Sequence, residues 1–279
     1  MTLHPEQLGR SKQELAATLK GLRKRAGLSG ARLAMRCNMS QSKISRIENG
    51  KTPANPVDVE QILRALDAPP DVLARVAELV RLAHTEWQDL RSLRRRGLQY
   101  KQQELAGLEA STVEFRYFLL SMITGLLSTP EYIRASLAHL DGDQSGLIAR
   151  KSSRQEVLYD TRKRFTFLLS EMALRWPLIS PPAMAMQLDR IVSVSRLPNV
   201  RIGVIPLRGI MPVAPMDTFT VYDTSLVTIE TTSGVLVIRD QRDVAMHVEA
   251  FATMEGYALF GGGAREQIER WSDDFRRSV

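Results

Sequence analysis

The segment from Leu28 to Lys51, LSGARLAMRCNMSQSKISRIENGK, constrains the fold more than any other stretch of the chain. It holds two short helical patterns, each with its own start and stop. Ser29 is placed to cap a helix whose inward positions are Leu33, Ala34 and Cys37. Asn38 and Met39 make a turn. Ser40 is placed to cap the next helix, Gln41 to Asn49, with Ile44 and Ile47 inward, and Gly50 stands where a helix end takes a left-handed residue. Ahead of the pair, Leu15, Leu19 and Leu22 recur at helical spacing, so Ser11 to Ala26 reads as an amphipathic helix capped by Ser11 and stopped by Gly27. Behind it, after the loop TPANP, Asp58 starts a helix with Val59, Ile62, Leu63 and Leu66 inward, and Asp67-Ala-Pro-Pro ends it. Residues 1–69 therefore read as a small helical domain.

Charge sets that domain apart. The net charge is +7. Residues 1–70 hold 12 Lys/Arg against 6 Asp/Glu, whereas residues 71–279 hold 26 against 25. A basic small domain on a nearly neutral larger one suggests a polyanion partner, through release of the counterions condensed on phosphates. The plainer alternative is a solvated basic face.

The matching residues Leu28-Ser29, Leu33-Ala34, Ser40-Gln41-Ser42, Ile44-Ser45 and Ile47-Glu48-Asn49-Gly50-Lys51 resemble the helix-turn-helix of the lambda-repressor-like, xenobiotic-response-element family of transcription factors. The resemblance implies that the helix after Ser40 lies in the DNA major groove while the helix before it crosses the backbone. It assigns Gln41, Ser42, Ser45 and Arg46 to base edges, where Gln pairs with adenine and Arg with guanine. It assigns Ser29, Arg32, Ser40, Lys43, Asn49 and Lys51 to phosphates, which fix register without reading sequence. Two positions depart from the family. Gly30 stands where a Gln is common, with Arg32 as the compensating residue, and Asn38 replaces the usual turn Gly. The family also implies a structural ion pair between Arg23 and Glu48; the alternative is that Arg23 faces phosphate with Lys24 and Arg25. A homodimer with reading helices about 34 Å apart would recognise a palindrome in double-stranded DNA.

Beyond this domain, Asp71 to Arg96 reads as a long helix with Val72, Val76, Leu79, Val80, Ala83, Trp87 and Leu90 on its apolar face. It is either a connector over residues 70–100 or a dimer seam. The triplet Arg94-Arg95-Arg96 suits its C-terminus. Residues 101–140 look helical, with a break near Pro130. Strand patterns follow at Phe165–Leu169, Val200–Pro206, Thr218–Tyr222, Leu226–Thr231 and Val235–Arg239, with a hairpin signal at Thr232-Ser233-Gly234. Helices are expected at Pro182–Arg196, Arg242–Phe260 and Ala264–Arg277. The expected fold class is thus a mainly α, five-helix helix-turn-helix domain followed, over residues 101–279, by an α+β domain with a mostly antiparallel sheet. LEASTVEFRYFLLSMITGLLSTPEYIRASL resembles the opening of a domain of unknown function in actinobacterial regulators of the WhiJ-like type. Gly125-Leu126-Leu127, Thr129 and Tyr132 match, Thr124 and Ser128 depart, and MQLDRIVSVSRLPNVRIGVIPL and the hairpin with Glu230 add to the match. That resemblance implies a regulator, often encoded beside a small partner protein, with an antitoxin-like role suggested for such pairs.

Other chemistry finds little support. The longest uncharged run, Tyr117 to Pro130, is too short and polar for a bilayer span, and the N-terminus has no apolar leader core, so a cytoplasmic protein is expected. One cysteine, Cys37, excludes an intrachain disulfide framework. Asp141-Gly142-Asp143-Gln144-Ser145-Gly146 imitates the start of a calcium loop, but Ser152 stands at the twelfth position, so a polar turn is expected. His4, His84, His139 and His247 are scattered, and Gly261-Gly262-Gly263 reads as a linker. No cofactor, metal or catalytic set is expected. Three readings remain: a DNA-binding transcriptional regulator, an antitoxin-like adaptor for a partner protein, and a sensor of a small-molecule effector.

Overall fold

The computed structural model describes residues 11–51, 54, 56–83, 85–89, 107–139, 142–208, 210–211 and 214–278. The chain divides into two compact units, Met1–Gln88 with Leu236–Asp240, and Asp89–Val235 with Gln241–Val279.

In the first unit the helices are α1 (Ser11–Arg25), α2 (Gly30–Arg36), α3 (Gln41–Glu48), α4 (Pro56–Ala65) and α5 (Pro70–Ala83). They surround one core of Leu15, Leu19, Leu33, Ala34, Cys37, Ile44, Ile47, Val59, Ile62, Leu63, Val76 and Val80. Each of the first four helices ends in the same way. A left-handed residue, Gly27, Asn38, Gly50 or Asp67, follows the last turn with φ of 65°, 50°, 65° and 49° respectively. Two backbone hydrogen bonds then return to the helix: Gly27 to Lys24 and Leu28 to Arg23, Asn38 to Met35 and Met39 to Ala34, Gly50 to Ile47 and Lys51 to Arg46, Asp67 to Arg64 and Ala68 to Leu63. These Schellman motifs satisfy carbonyls that the helix itself leaves unpaired.

The helix expected to run to Arg96 is shorter. It stops at Ala83, and Thr85–Asp89, containing Trp87, is extended (β1). Thr and Trp favour the pleated conformation, and the helix already buries Val76 and Val80 in the core of the first unit rather than bridging away from it. Leu90 and Arg94-Arg95-Arg96 lie outside the described residues.

The second unit opens with helical residues 107–111, then β2 (Glu114–Leu119), α6 (Pro130–Ser136), α7 (Ser145–Ser153), a 3-10 turn at Arg154–Tyr159, β3 (Arg164–Ser170), α8 (Glu171–Arg175), α9 (Pro181–Val194), β4 (Val200–Ile205), β5 (Thr218–Tyr222), β6 (Leu226–Thr231), β7 (Gly234–Ile238), α10 (Gln241–Glu255) and α11 (Gly261–Arg277). Six of its strands form a mixed sheet in the order β7-β6-β5-β2-β3-β4. β2 pairs parallel with β3 and β3 parallel with β4, while β2–β5 and β5–β6 are antiparallel.

The α+β class stands. The sheet is mixed: antiparallel pairs lie beside the parallel pairs of β2, β3 and β4, and α8 and α9 carry the crossover that parallel strands require between β3 and β4. Two expectations inside the class are corrected. Residues 114–119 are a strand, not part of a helix: half-exposed Glu114 and Arg116 alternate with buried Phe115 and Tyr117, and the alternation ends where Phe118 and Leu119 are both buried. Gly261-Gly262-Gly263 form the first turn of α11 rather than a linker. At the centre of the helical side, α11 packs on α9 and β4. Gly203 on β4 permits this close approach, since a Cβ there would lie 2.6 Å from both Leu168 Cδ2 and Phe260 Cζ. Asp143 bonds the backbone and hydroxyl of Ser145 in a polar turn ahead of α7. Among the described residues no group of three His, Cys, Asp or Glu gathers to hold a metal, and no helix is long and apolar enough to cross a membrane.

Candidate nucleic-acid interface

α3 is built for presentation. Its N-terminus is capped by Ser40, whose Oγ accepts from the Lys43 amide at 3.2 Å. Ile44 and Ile47 are buried, and they fix the side of the helix that faces the core. That rotation leaves Gln41, Ser42 and Arg46 exposed and Ser45 half-buried beside them. Among the described residues the side chains of Gln41 and Arg46 engage no partner, so both are free to meet a ligand. α2 is held in the same manner: Ser29 Oγ accepts from the Arg32 amide at 3.2 Å, and Leu33 and Ala34 are buried. Arg32 and Lys51 are exposed. Cys37 closes α2 from the inside, and burial pushes its thiol up from the ordinary range.

An ion pair sits beneath α3. Arg23 on α1 donates from Nε to Glu48 Oε1 at 2.6 Å and from Nη2 to Oε2 at 2.8 Å, and its Nη1 donates to the Leu28 carbonyl at 2.7 Å. The fork thus ties α1, the loop after it and the end of α3 together. The hydrogen bonds to Glu48 raise the Arg23 pKa, so the guanidinium stays charged. Lys24 and Arg25, its neighbours, are exposed.

The residues assigned to phosphate do not share one state. Lys43 Nζ is 2.7 Å from Asp58 Oδ1, and the carboxylate is only 9% exposed. Asp58 lies in the first turn of α4, where a carboxylate also meets the positive end of the helix dipole. Asn49 caps α3 with its amide, donating to the Ser45 carbonyl at 2.8 Å, and its Oδ1 accepts from Lys20 at 3.3 Å. Ser29 and Ser40 spend their hydroxyls on the caps, and Ser40 Oγ is also 3.1 Å from Ser42 Oγ. Lys51 alone among the assigned lysines has no partner among the described residues.

Two contributors escape a reading of the sequence. Asp58 is distant from Lys43 in the chain and shows only as an acidic residue near a helix start. Lys20 lies one turn before Arg23 on α1, a spacing that puts both on neighbouring positions of one face, and that spacing was the available signal.

Residues 14–82 match a helix-turn-helix domain, a span that reaches through α5 as far as Leu82. Residues 102–270 match the family described as a domain of unknown function, DUF5753. No curated protein matches the chain. Similar solved structures include NucT from Helicobacter pylori, at 10% identity and a TM-score of 0.35, covering 63% of this chain and 97% of that one. Nuc, a phospholipase D family member from Salmonella typhimurium, has 9% identity and a TM-score of 0.36 with the same coverages, 63% and 97%. TrmBL2, an archaeal chromatin protein, has 11% identity and a TM-score of 0.33, covering 84% of this chain and 88% of that one. Likenesses at these scores carry neither a shared fold nor an activity to this chain.

Proposed function

The chain belongs to the DUF5753 family and carries a helix-turn-helix domain ahead of that region, and on this premise we propose that it is a sequence-specific, DNA-binding transcriptional regulator that inserts α3 into the major groove. One observation carries the reading: α3 hides Ile44 and Ile47 while Gln41 and Arg46 stand exposed and unengaged among the described residues. Both side chains pair in two-pronged fashion with purine edges, Gln with adenine and Arg with guanine. Ser42 and Ser45 complete a small polar face that a groove accepts. Arg32 and Lys51 meet phosphate, and the surplus of Lys and Arg in the first quarter of the chain supplies the long-range attraction. Two copies reading half-sites one helical turn apart give the operator twofold symmetry.

The same proposal places the chain with the lambda-repressor-like, WhiJ-like regulators, and the motif residues from Leu28 to Lys51 support that finer assignment. The test is footprinting of the full-length protein on genomic DNA, followed by gel shifts on the sites found. Gln41→Ala and Arg46→Ala each weaken binding by about 1–3 kcal/mol and relax the preference at one base pair. Unchanged operator binding by both variants overturns the reading.

A further inference from the structure

One end of the sheet in the second unit gathers exposed apolar side chains. β2, β3 and β4 run parallel and β5 runs antiparallel to β2, so the carboxyl ends of the first three and the start of β5 lie together there. Three hydrogen bonds tie the segments at this end. Ser170 Oγ donates to the Leu120 carbonyl, the Leu120 amide donates to Thr218 Oγ1 at 3.1 Å, and the Leu207 amide donates to Glu171 Oε2 at 2.9 Å. The apolar residues stand within a few positions of these links. Met122 follows Leu120, Met216 precedes Thr218, Met172 and Trp176 follow Ser170, and Leu207 leads to Ile210. Trp176 donates its amide to the Met172 carbonyl at 2.9 Å, so the two stand one helical turn apart. Exposure of the six runs from 42% at Met172 to 95% at Ile210, so these side chains protrude rather than line a cavity. An exposed apolar residue standing alone is ordinary, whereas a group of them marks a surface that another protein covers.

The charges on the same segments select the occupant. Glu171 and Arg175 neutralise each other at 2.8 Å. Arg208 and Asp217 are exposed, and among the described residues neither side chain engages a partner. One free cation and one free anion sum to zero, so no strongly charged partner is selected. They also stand on different sides of the patch. Arg208 follows β4, Asp217 precedes β5, and β2 and β3 lie between those strands, a span of three strand spacings or about 14 Å. Opposite charges flanking an apolar centre are complementary to the same surface turned through half a rotation.

We propose that this end of the sheet is a self-association face, on which a second copy of the chain docks about a twofold axis between β2 and β3. Arg208 of each copy meets Asp217 of the partner subunit, and Met122 and Met172 pack near the axis. Methionine suits that place, because its flexible thioether fills irregular gaps. The choice of a second copy over another protein rests in part on the twofold operator proposed above, while the charge pattern stands without it.

The test uses the full-length protein without DNA, so its failure is distinct from failure of the DNA-binding reading. Sedimentation velocity is measured from about 1 to about 100 μM protein, and the parent dimerises within that range. Ile210→Glu combined with Met172→Glu weakens the dimer by about tenfold or more, with circular dichroism matching the parent. Arg208→Asp and Asp217→Arg each set like charges together at both ends of the interface, and each weakens it by about tenfold or more. Mixed in equal amounts, these two single variants pair with each other at near parental affinity, because every charged contact again joins opposite signs. A parent that stays monomeric up to about 100 μM, a dimer unchanged by the paired glutamate substitutions or by the charge reversals, or single variants that stay apart when mixed overturns the proposal.

Discussion

Arg23 and Glu48 meet through two parallel hydrogen bonds of 2.6 and 2.8 Å, with side chains only 13% and 6% exposed. The pair joins α1 to the end of α3. Its value is mostly that of avoiding a loss: once built, removing one partner strands the other in a site largely shielded from water. Glu48→Gln is therefore expected to destabilise the first unit by about 3 kcal/mol, read as faster amide hydrogen exchange in α1 and α3. Replacing both partners together, Arg23→Met with Glu48→Leu, costs less than the single change. An equal or larger loss in the double variant would contradict this account.

Lys43 and Lys51 differ in what holds them, and salt separates them. Lys51 is free among the described residues, so Lys51→Ala lowers the slope of log affinity against log salt by about one. Lys43 is held by Asp58 at 2.7 Å, and Lys43→Ala leaves that slope nearly unchanged. Gel shifts over a range of potassium chloride concentrations decide it. A full unit of slope lost in Lys43→Ala means the lysine leaves Asp58 for a phosphate.

Gly203 lies where Leu168 and Phe260 close from two sides. A methyl group cannot be relieved by moving one neighbour, because Leu168 is itself fully buried in the sheet. Gly203→Ala is expected to cost about 1–3 kcal/mol in thermal unfolding of the second unit. A melting temperature equal to that of the parent would show that the ring of Phe260 swings aside without penalty.

Asp160 accepts two hydrogen bonds from the Arg162 guanidinium, both 2.9 Å, and these hold its carboxyl down at about 2. The unfolded value is about 3.9. The group is depressed in the folded state, so its contribution is present above about pH 4 and lost as pH falls through about 2. Carboxyl carbon shifts followed by NMR should give this midpoint in the parent and return towards the ordinary value in Arg162→Ala. An unchanged midpoint in that variant would assign the depression to the loop backbone instead.

How much of this was legible depends on how local each cause is. Ser29, Ser40, Gly27, Asn38 and Gly50 act within four or five residues of themselves, and the boundaries of α2 and α3 follow from them. The inward faces of those helices follow from periodicity alone. β2 was hidden because its alternation runs only from Glu114 to Tyr117 before Phe118 and Leu119 are buried in succession, too short a run to stand out from the apolar residues that follow. The parallel pairing of β2, β3 and β4 is a property of strands about 35 to 50 residues apart in the chain, joined by segments that carry helices, and no short pattern encodes it. At the interface, the exposed face of α3 could be read from spacing. The partners of Lys43 and Asn49 could not, since Asp58 and Lys20 arrive from other helices.

The four left-handed residues that end α1 to α4 give the first unit connections with no slack. One residue inserted inside α3, between Gln41 and Ile44, would turn Gln41 by about 100° about the helix axis relative to the buried isoleucines. Substitution at Gln41 or Arg46 disturbs nothing behind them. The exposed face of α3 can therefore change its chemistry by exchange of side chains, while changes of length within the helix are closed off by the buried isoleucines.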